Sequence, residues 1–291
     1  VFVLGTGRCG STLVHELLAR GESMAFVSNI DDRLGRLGPW TAANPALLRT
    51  LPAGATEKGR VRFAPSEGYR LLARRVSPML VDPCRDLTAA DAHPWLVQRL
   101  RTTADEVCGR QQRPVFLHKL TGWPRAGLLT AAFDDVRFVH VVRDGRAVVA
   151  SWLRMPWWRG HLGPSGWHFG PLGAHDQRLW EEADRSFAVL AGIGWRLLMD
   201  AAADAAAQVP ASRWIEVRYE DLVADPTAFV DRLALDLGIH DQTELRRAAR
   251  RLDLRPARVD AWRGDLTPED RRRLDDLLGA ELTARGYLAA P

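Results

Sequence analysis

Lysine is almost absent. The 291-residue chain carries 40 basic residues, and only Lys58 and Lys119 are lysines. Arginine is therefore the default cation, and a retained lysine points to a need for a compact point charge. Cysteine is scarce too. Cys9, Cys84 and Cys108 form an odd, scattered set without C-x-x-C spacing, which argues against a disulfide framework or a zinc site and makes a reducing cytoplasm the expected location. No apolar run approaches the ~20 residues of a membrane span. No Pro/Gly/Ser linker, charge block or internal repeat divides the chain. With 46% hydrophobic content, residues 1–291 read as one α/β domain. Val1 is not an initiator methionine, which leaves room for a trimmed leader. The net charge of +4 suits a polyanionic ligand. The arginines are spread along the chain and no nucleic-acid module is present, so nucleic acid is not an expected partner.

The N-terminal VFVLGTGRCGST has the layout of a phosphate-binding loop. Val1–Leu4 read as a buried strand. Gly5 and Gly10 hold the two glycine positions of G-x-x-x-x-G-K-[ST], but Ser11 stands where the lysine belongs and Thr12 follows it. A strand, a glycine-containing turn and a helix N-terminus offer backbone N–H groups and positive dipole potential to an anion. Without the lysine that reaches β- and γ-phosphates, and with Arg8 inside the loop, the site suits an anion other than a magnesium-bound triphosphate.

GTGRCGSTL resembles the first cofactor motif of sulfotransferases that use 3′-phosphoadenosine-5′-phosphosulfate (PAPS), in the arginine form seen in tyrosylprotein and many bacterial members. The resemblance implies that Gly7, Arg8, Cys9, Gly10, Ser11 and Thr12 grip the 5′-phosphosulfate, with Arg8 on its oxygens. A second segment, FDDVRFVHVVRDGRAVVASWLRM, supports it. Val136–Val142 read as a strand, Asp144 as a helix cap and Ala147–Leu153 as helix. Arg143 then lies at the carboxyl edge of a strand, where open α/β sheets bind ligands. R-D-x-R-x-x-x-x-S resembles the family's 3′-phosphate motif, which implies that Arg143 and Ser151 hold that phosphate. WIEVRYEDLVADP, read as strand Trp214–Val217 ending in Tyr219-Glu220-Asp221, resembles the strand whose tyrosine approaches the nucleotide. AWRGDLTPED resembles the tryptophan-basic loop that closes over it, implicating Trp262 and Arg263, with Arg258 nearby.

Lys119 follows the short strand Val115–Leu117. It resembles the family's catalytic lysine, a fixed ammonium that stabilises the oxygen leaving sulfur. The acceptor hydroxyl needs a base within hydrogen-bond reach. In the segment after the first helix, roughly Ser11–Arg20, IDDR resembles the tyrosylprotein enzymes' base-plus-arginine pattern if a two-residue insertion is allowed, with Asp31 as base and Arg33 as the arginine. Asp32 is the alternative. Glu67, opening a helix near Tyr69 and Arg70, competes with both, and His118 is a further candidate.

Acceptor recognition is expected in two stretches. Leu153–Trp180 is an insertion rich in Trp, Gly and Pro, carrying His161, His168 and His175; it is too long and irregular for a simple connector. The second stretch is Asn29–Pro83, where Arg60, Arg62, Arg70 and Arg74 could meet an anionic acceptor. The resemblance implies a P-loop nucleotide-kinase-like three-layer α/β fold, with a central parallel sheet of four or five strands flanked by helices. The expected activity is direct transfer from PAPS to a hydroxyl of a small-molecule, carbohydrate or lipid acceptor, releasing adenosine 3′,5′-bisphosphate (PAP), with no metal. A P-loop kinase-like phosphotransferase and a non-catalytic nucleotide-binding protein are the alternatives. Acceptor identity and oligomeric state are not legible.

Overall fold

A computed structural model describes residues 1–50, 63–252, 254 and 256–289. Five parallel strands form one sheet: β1 (Phe2–Gly5), β2 (Met24–Phe26), β3 (Val115–Thr121), β4 (Phe138–Val142) and β5 (Trp214–Arg218), in the order β2-β3-β1-β4-β5. β1 is central and buried at every residue. That is why it reads as an unbroken apolar run rather than an alternating one.

Alternation of side chains along the strands sends the core to two faces. Val3, Leu117, Val139 and Val141 pack with Val14 and Leu18 of helix Ser11–Leu18, with Trp195 of helix Phe187–Gln208 and with Leu278 of helix Pro268–Ala284. Phe2, Leu4, Leu120 and Phe138 pack instead with Leu71, Leu100 and Leu129, from helices Tyr69–Arg75, Pro94–Gln111 and Ala126–Ala132. Helices thus cover both faces, giving the three-layer arrangement that the sequence implies. The chain leaves β1 toward β2, returns through β3, then crosses to β4 on the other side of β1. The carboxyl end of β1 is therefore the topological switch point, where such sheets bind ligands.

The observed strands differ from expectation in detail. β2 is an addition. β3 continues four residues past Leu117, so His118 and Lys119 lie within the strand rather than beyond it. Tyr219 opens a short helix, Tyr219–Ala224, instead of ending β5, and Asp225 caps the next helix, Pro226–Asp236. Residues 153–173 connect helices Gly145–Trp152 and Ala174–Glu182 with only a short 3₁₀ turn, Gly160–Leu162. Among the described residues, no helix is long and apolar enough to cross a membrane.

Candidate active site

A cavity of about 1010 Å³ opens at the carboxyl ends of β1, β3 and β4. Its floor is the loop after β1. Gly7, Arg8 and Gly10 all adopt left-handed backbone, with φ of 82°, 58° and 94°. Glycine is needed at position 10 for a second reason: a Cβ there would lie 2.4 Å from the Tyr219 ring. Gly10 accepts the first backbone hydrogen bonds of helix Ser11–Leu18, so the helix aims its N-terminal dipole at the cavity.

One wall is built from guanidinium groups. Arg8 Nε donates to Ser151 Oγ at 2.8 Å, and Arg143 Nη1 donates to the Arg8 carbonyl at 3.0 Å. The loop after β1 and the helix after β4 are thus joined through Arg8. Arg143 also donates to the Arg258 carbonyl at 3.2 Å and lies 4.5 Å from the Tyr219 ring centroid. Among the described residues its Nε is buried with no hydrogen-bond partner. Burial, then the neighbouring Arg143, Arg154 and Arg258, hold Arg8 below its ordinary value. Convergent positive charge of this kind fits a phosphate or phosphosulfate group. Arg154 pairs with Asp265 at 2.8 Å. Behind the wall, the Asp144 side chain caps helix Gly145–Trp152 and binds Arg146, whose guanidinium lies 4.3 Å from the Trp262 ring centroid.

Opposite the loop, Lys119 Nζ donates to Thr12 Oγ1 at 2.7 Å and to Glu67 Oε1 at 2.5 Å, with both side chains of the ion pair almost fully buried. Glu67 is held there by backbone strapping beyond β2. Ser66 N donates to the Val27 carbonyl at 2.8 Å, Asn29 N donates to the Ala64 carbonyl at 2.9 Å, and Ser28 and Pro65 form a bridge. His118 Nε2 lies 3.1 Å from the Glu67 carbonyl oxygen. That oxygen can only accept, so Nε2 carries the proton. Burial pushes His118 down to about 4 and holds the adjacent His15 well below its ordinary value. Burial and the Glu67 carboxylate raise the Tyr69 hydroxyl.

The cavity brings together Gly7, Arg8, Gly10, Ser11, Thr12, Glu67, Lys119, Arg143, Ser151, Tyr219 and Trp262. Several residues expected there do not line it. The Cys9 thiol is buried beneath the loop, where a Cβ on Gly5 would meet its Sγ at 2.4 Å. Arg263 pairs with Asp260 and flanks Trp262 at 4.6 Å without lining the cavity. Asp31 is fully buried away from the cavity. It accepts from Ser28 N and Oγ, Trp40 Nε1, Thr41 Oγ1 and Asn44 Nδ2, at 2.6–3.0 Å. A carboxylate so enclosed serves as a helix cap and loop anchor. Its neighbour Asp32 accepts from the Arg70 and Leu71 amides. His118 lies behind Glu67 and does not line the cavity, nor do Arg70 and Arg74. Lys58, Arg60 and Arg62 lie outside the described residues.

Several lining residues were not singled out from the sequence, among them Thr121, Trp123, Arg125 and Arg154. Arg154 had a usable signal: it stands three residues beyond Ser151, about one helical turn on. Trp123 and Arg125 had none, since their place depends on how far β3 extends.

The fold and this cavity define a phosphate-loop-like α/β protein with a candidate anion site at the switch point of a parallel sheet. The chain belongs to the sulfotransferase family, whose model matches residues 1–243. Three solved structures share the fold. A sulfotransferase from Mycobacterium tuberculosis H37Rv aligns at 19% identity, covering 94% of this chain and 76% of that one, with a TM-score of 0.55. The sulfotransferase domain of the curacin biosynthetic pathway aligns at 16% identity over 96% of both chains, with a TM-score of 0.53. The sulfotransferase domain of the Synechococcus PCC 7002 olefin synthase aligns at 18% identity over 94% of this chain and 92% of that one, with a TM-score of 0.51. No curated protein sequence matches the chain. Family membership makes sulfuryl transfer the activity class.

Proposed function

We propose that the protein moves the sulfuryl group of PAPS directly to a hydroxyl of a small-molecule, carbohydrate or lipid acceptor. The observation that carries this reading is the meeting of Lys119 and Glu67 in the same cavity as the Arg8–Ser151–Arg143 cluster. The arginine cluster supplies what a 3′-phosphate needs, and the buried Arg143 Nε is a donor still to be matched. Arg8 is read as a ligand of the 3′-phosphate as well as of the phosphosulfate, because it already reaches Ser151. An arginine in this loop keeps the chain closer to the arginine-loop bacterial and tyrosylprotein enzymes than to the lysine-loop type.

In this reading Glu67 takes the proton of the acceptor hydroxyl. The acceptor oxygen forms its bond to sulfur as the bond from sulfur to the bridging phosphate oxygen breaks. The electron pair stays on that phosphate oxygen, and the Lys119 ammonium stabilises it. No covalent enzyme intermediate and no metal are needed. Glu67 replaces Asp31 as the proposed base because it alone of the two reaches the cavity.

Calorimetric titration with PAP, set against ATP plus magnesium, tests the donor site. Tight PAP binding with weak ATP binding is the expected result. A preference for ATP would overturn the reading in favour of a kinase-like phosphotransferase. PAP binding with no turnover of PAPS over a broad acceptor panel would make the protein a non-catalytic nucleotide binder.

A further inference from the structure

The cavity has a second cationic wall, at the carboxyl end of β3. Thr121 lies two residues after Lys119 and so on the same face of the strand. Trp123 and Arg125 follow it, and all four residues line the cavity. Arg125 is 2% exposed. Its guanidinium braces the chain: Nη1 donates to the Thr121 carbonyl at 3.1 Å and to the Trp123 carbonyl, and Nη2 donates to the Val81 carbonyl at 3.1 Å. A guanidinium has five N–H groups, so these three carbonyls leave one on Nε and one on Nη2. Among the described residues, Arg125 Nε is buried with no hydrogen-bond partner, and so is the Trp123 indole Nε1.

The three carbonyls on Arg125 are neutral, and the nearby carboxylates are engaged elsewhere. Asp86 Oδ1 accepts from the backbone N–H of Arg125 at 2.6 Å, Asp82 faces His168 at 3.6 Å, and Glu67 is held by Lys119 at 2.5 Å. Burial brings the guanidinium down to about 10, against the opposing pull of Tyr69, Asp86 and Asp82, so it stays charged at neutral pH. A buried charge with free donors costs free energy that a fitting anion relieves. The wall also stands close to Glu67. Burial and Glu67 raise the Tyr69 hydroxyl while Thr121 and Arg125 lower it, so that one hydroxyl lies within electrostatic reach of both ends. At about 1010 Å³ the cavity is at the top of the roughly 300–1,000 Å³ range of single-ligand pockets, which leaves space for an acceptor beside the nucleotide.

We infer that the acceptor is a hydroxy acid, a small molecule whose carboxylate seats on Arg125 and the Trp123 indole N–H while its hydroxyl faces Glu67. This rests on the PAPS reading. A carboxylate is flat, accepts at both oxygens and meets the Nε and Nη2 edge of a guanidinium through two parallel bonds. An ammonium in its place would face like charge, and an amide would bring N–H groups to a wall of donors. The anionic acceptor expected from the sequence is kept, but Arg125 takes the part assigned there to Arg70 and Arg74, which do not line the cavity.

The test titrates the PAP-saturated full chain with 6-hydroxyhexanoate, 6-hydroxyhexanamide, 1,6-hexanediol and 6-amino-1-hexanol. The flexible chain lets each end find its own partner, and the four probes differ only at the end opposite the hydroxyl. The expected result is that 6-hydroxyhexanoate binds about tenfold or more tightly than each of the others. Arg125→Gln should bring the preference for acid over amide down to about twofold or less, with PAP affinity within about twofold of wild type. Trp123→Phe keeps a ring and loses the N–H, and should weaken the acid about fivefold. Equal or tighter binding of the amide, the diol or the amine overturns the inference. So does an acid preference that Arg125→Gln leaves unchanged or, where that variant does not fold, an acid affinity that Trp123→Phe leaves unchanged. Failure of 6-hydroxyhexanoate to bind a protein that binds PAP overturns it too. Failure to bind PAP itself would instead overturn the donor reading.

Discussion

Arg143 gives two hydrogen bonds to backbone carbonyls, stacks on Tyr219 and keeps Nε in reserve. Removing it deletes both a charge and the brace between the loop and residue 258. Arg143→Ala should raise the Kd for PAP by about 100-fold, and Arg143→Lys should recover little, because an ammonium cannot reproduce the planar fork. Calorimetry reads both, and unchanged affinity would remove the 3′-phosphate assignment. Lys119 should behave differently. Lys119→Ala should lower kcat by about 100- to 1,000-fold with a much smaller change in PAP affinity, since its charge matters most as the leaving oxygen develops. The reverse pattern in single-turnover and binding measurements would make it a binding residue. At this scale the sequence was legible where chemistry and position coincide. Arg143 sits just past β4, Lys119 within β3 and Ser151 two turns into the helix after β4, and all three line the cavity. The place of Asp31 away from the cavity is not legible, because an acidic residue ahead of an arginine looks the same whether it faces a cavity or caps its own helix. What decides is Trp40, Thr41 and Asn44, up to 13 residues away in the chain.

Helix Asn29–Leu34 carries a capping box in which Ser28 and Asp31 satisfy each other's backbone amides. Asp31→Ala removes that cap and leaves the Thr41 hydroxyl and the Asn44 amide short of a buried acceptor. It should cost about 2–4 kcal/mol of stability, seen as a lower urea midpoint, with kcat per folded molecule nearly unchanged. A large kcat loss at full stability would restore Asp31 as a catalytic candidate. The phosphate loop should be as sensitive to shape as to charge. Gly10→Ala combines a left-handed φ of 94° with a Cβ 2.4 Å from the Tyr219 ring, so it should cost about 1–3 kcal/mol and weaken PAP through displacement of Tyr219. A variant with wild-type PAP affinity and melting temperature would refute that coupling. Among the elements, β1, β4 and β5 are legible as apolar runs bounded by turn residues. β2 is not, because Met24–Phe26 is too short to display a period. β3 looks shorter than it is because His118 and Lys119 are polar. In that buried strand Glu67 supplies its carbonyl to one and its carboxylate to the other, and Thr12 Oγ1 is a further partner of Lys119.

Across the whole molecule, the two-sided core follows directly from strand alternation, which is why the layered fold could be expected from sequence. The buried histidine pair behind the site could not, because His15 and His118 come from different elements, with rings 6.3 Å apart. Burial depresses both in the folded state, His118 from 6.5 to about 4. Between those values the unfolded chain binds more protons than the folded one, so stability is complete above about pH 6.5 and falls as the pH drops toward 4. His118 alone should remove on the order of 3 kcal/mol by the end of that window. Urea midpoints at pH 7.5, 5.5 and 4 would show the decline, and His118→Gln should flatten it. A wild-type midpoint independent of pH would show that the pair stays open to water.

Trp123, Trp152, Trp157 and Trp262, four of the eleven tryptophans, line the one cavity. Their indoles make the protein its own optical probe. Nucleotide bound beside Trp262 and an acceptor bound beside Trp123 should each alter the intrinsic emission. Single Trp→Phe replacements at 262 and 123 would separate the two signals, so the order in which the partners arrive and depart could be followed in real time with no label on either.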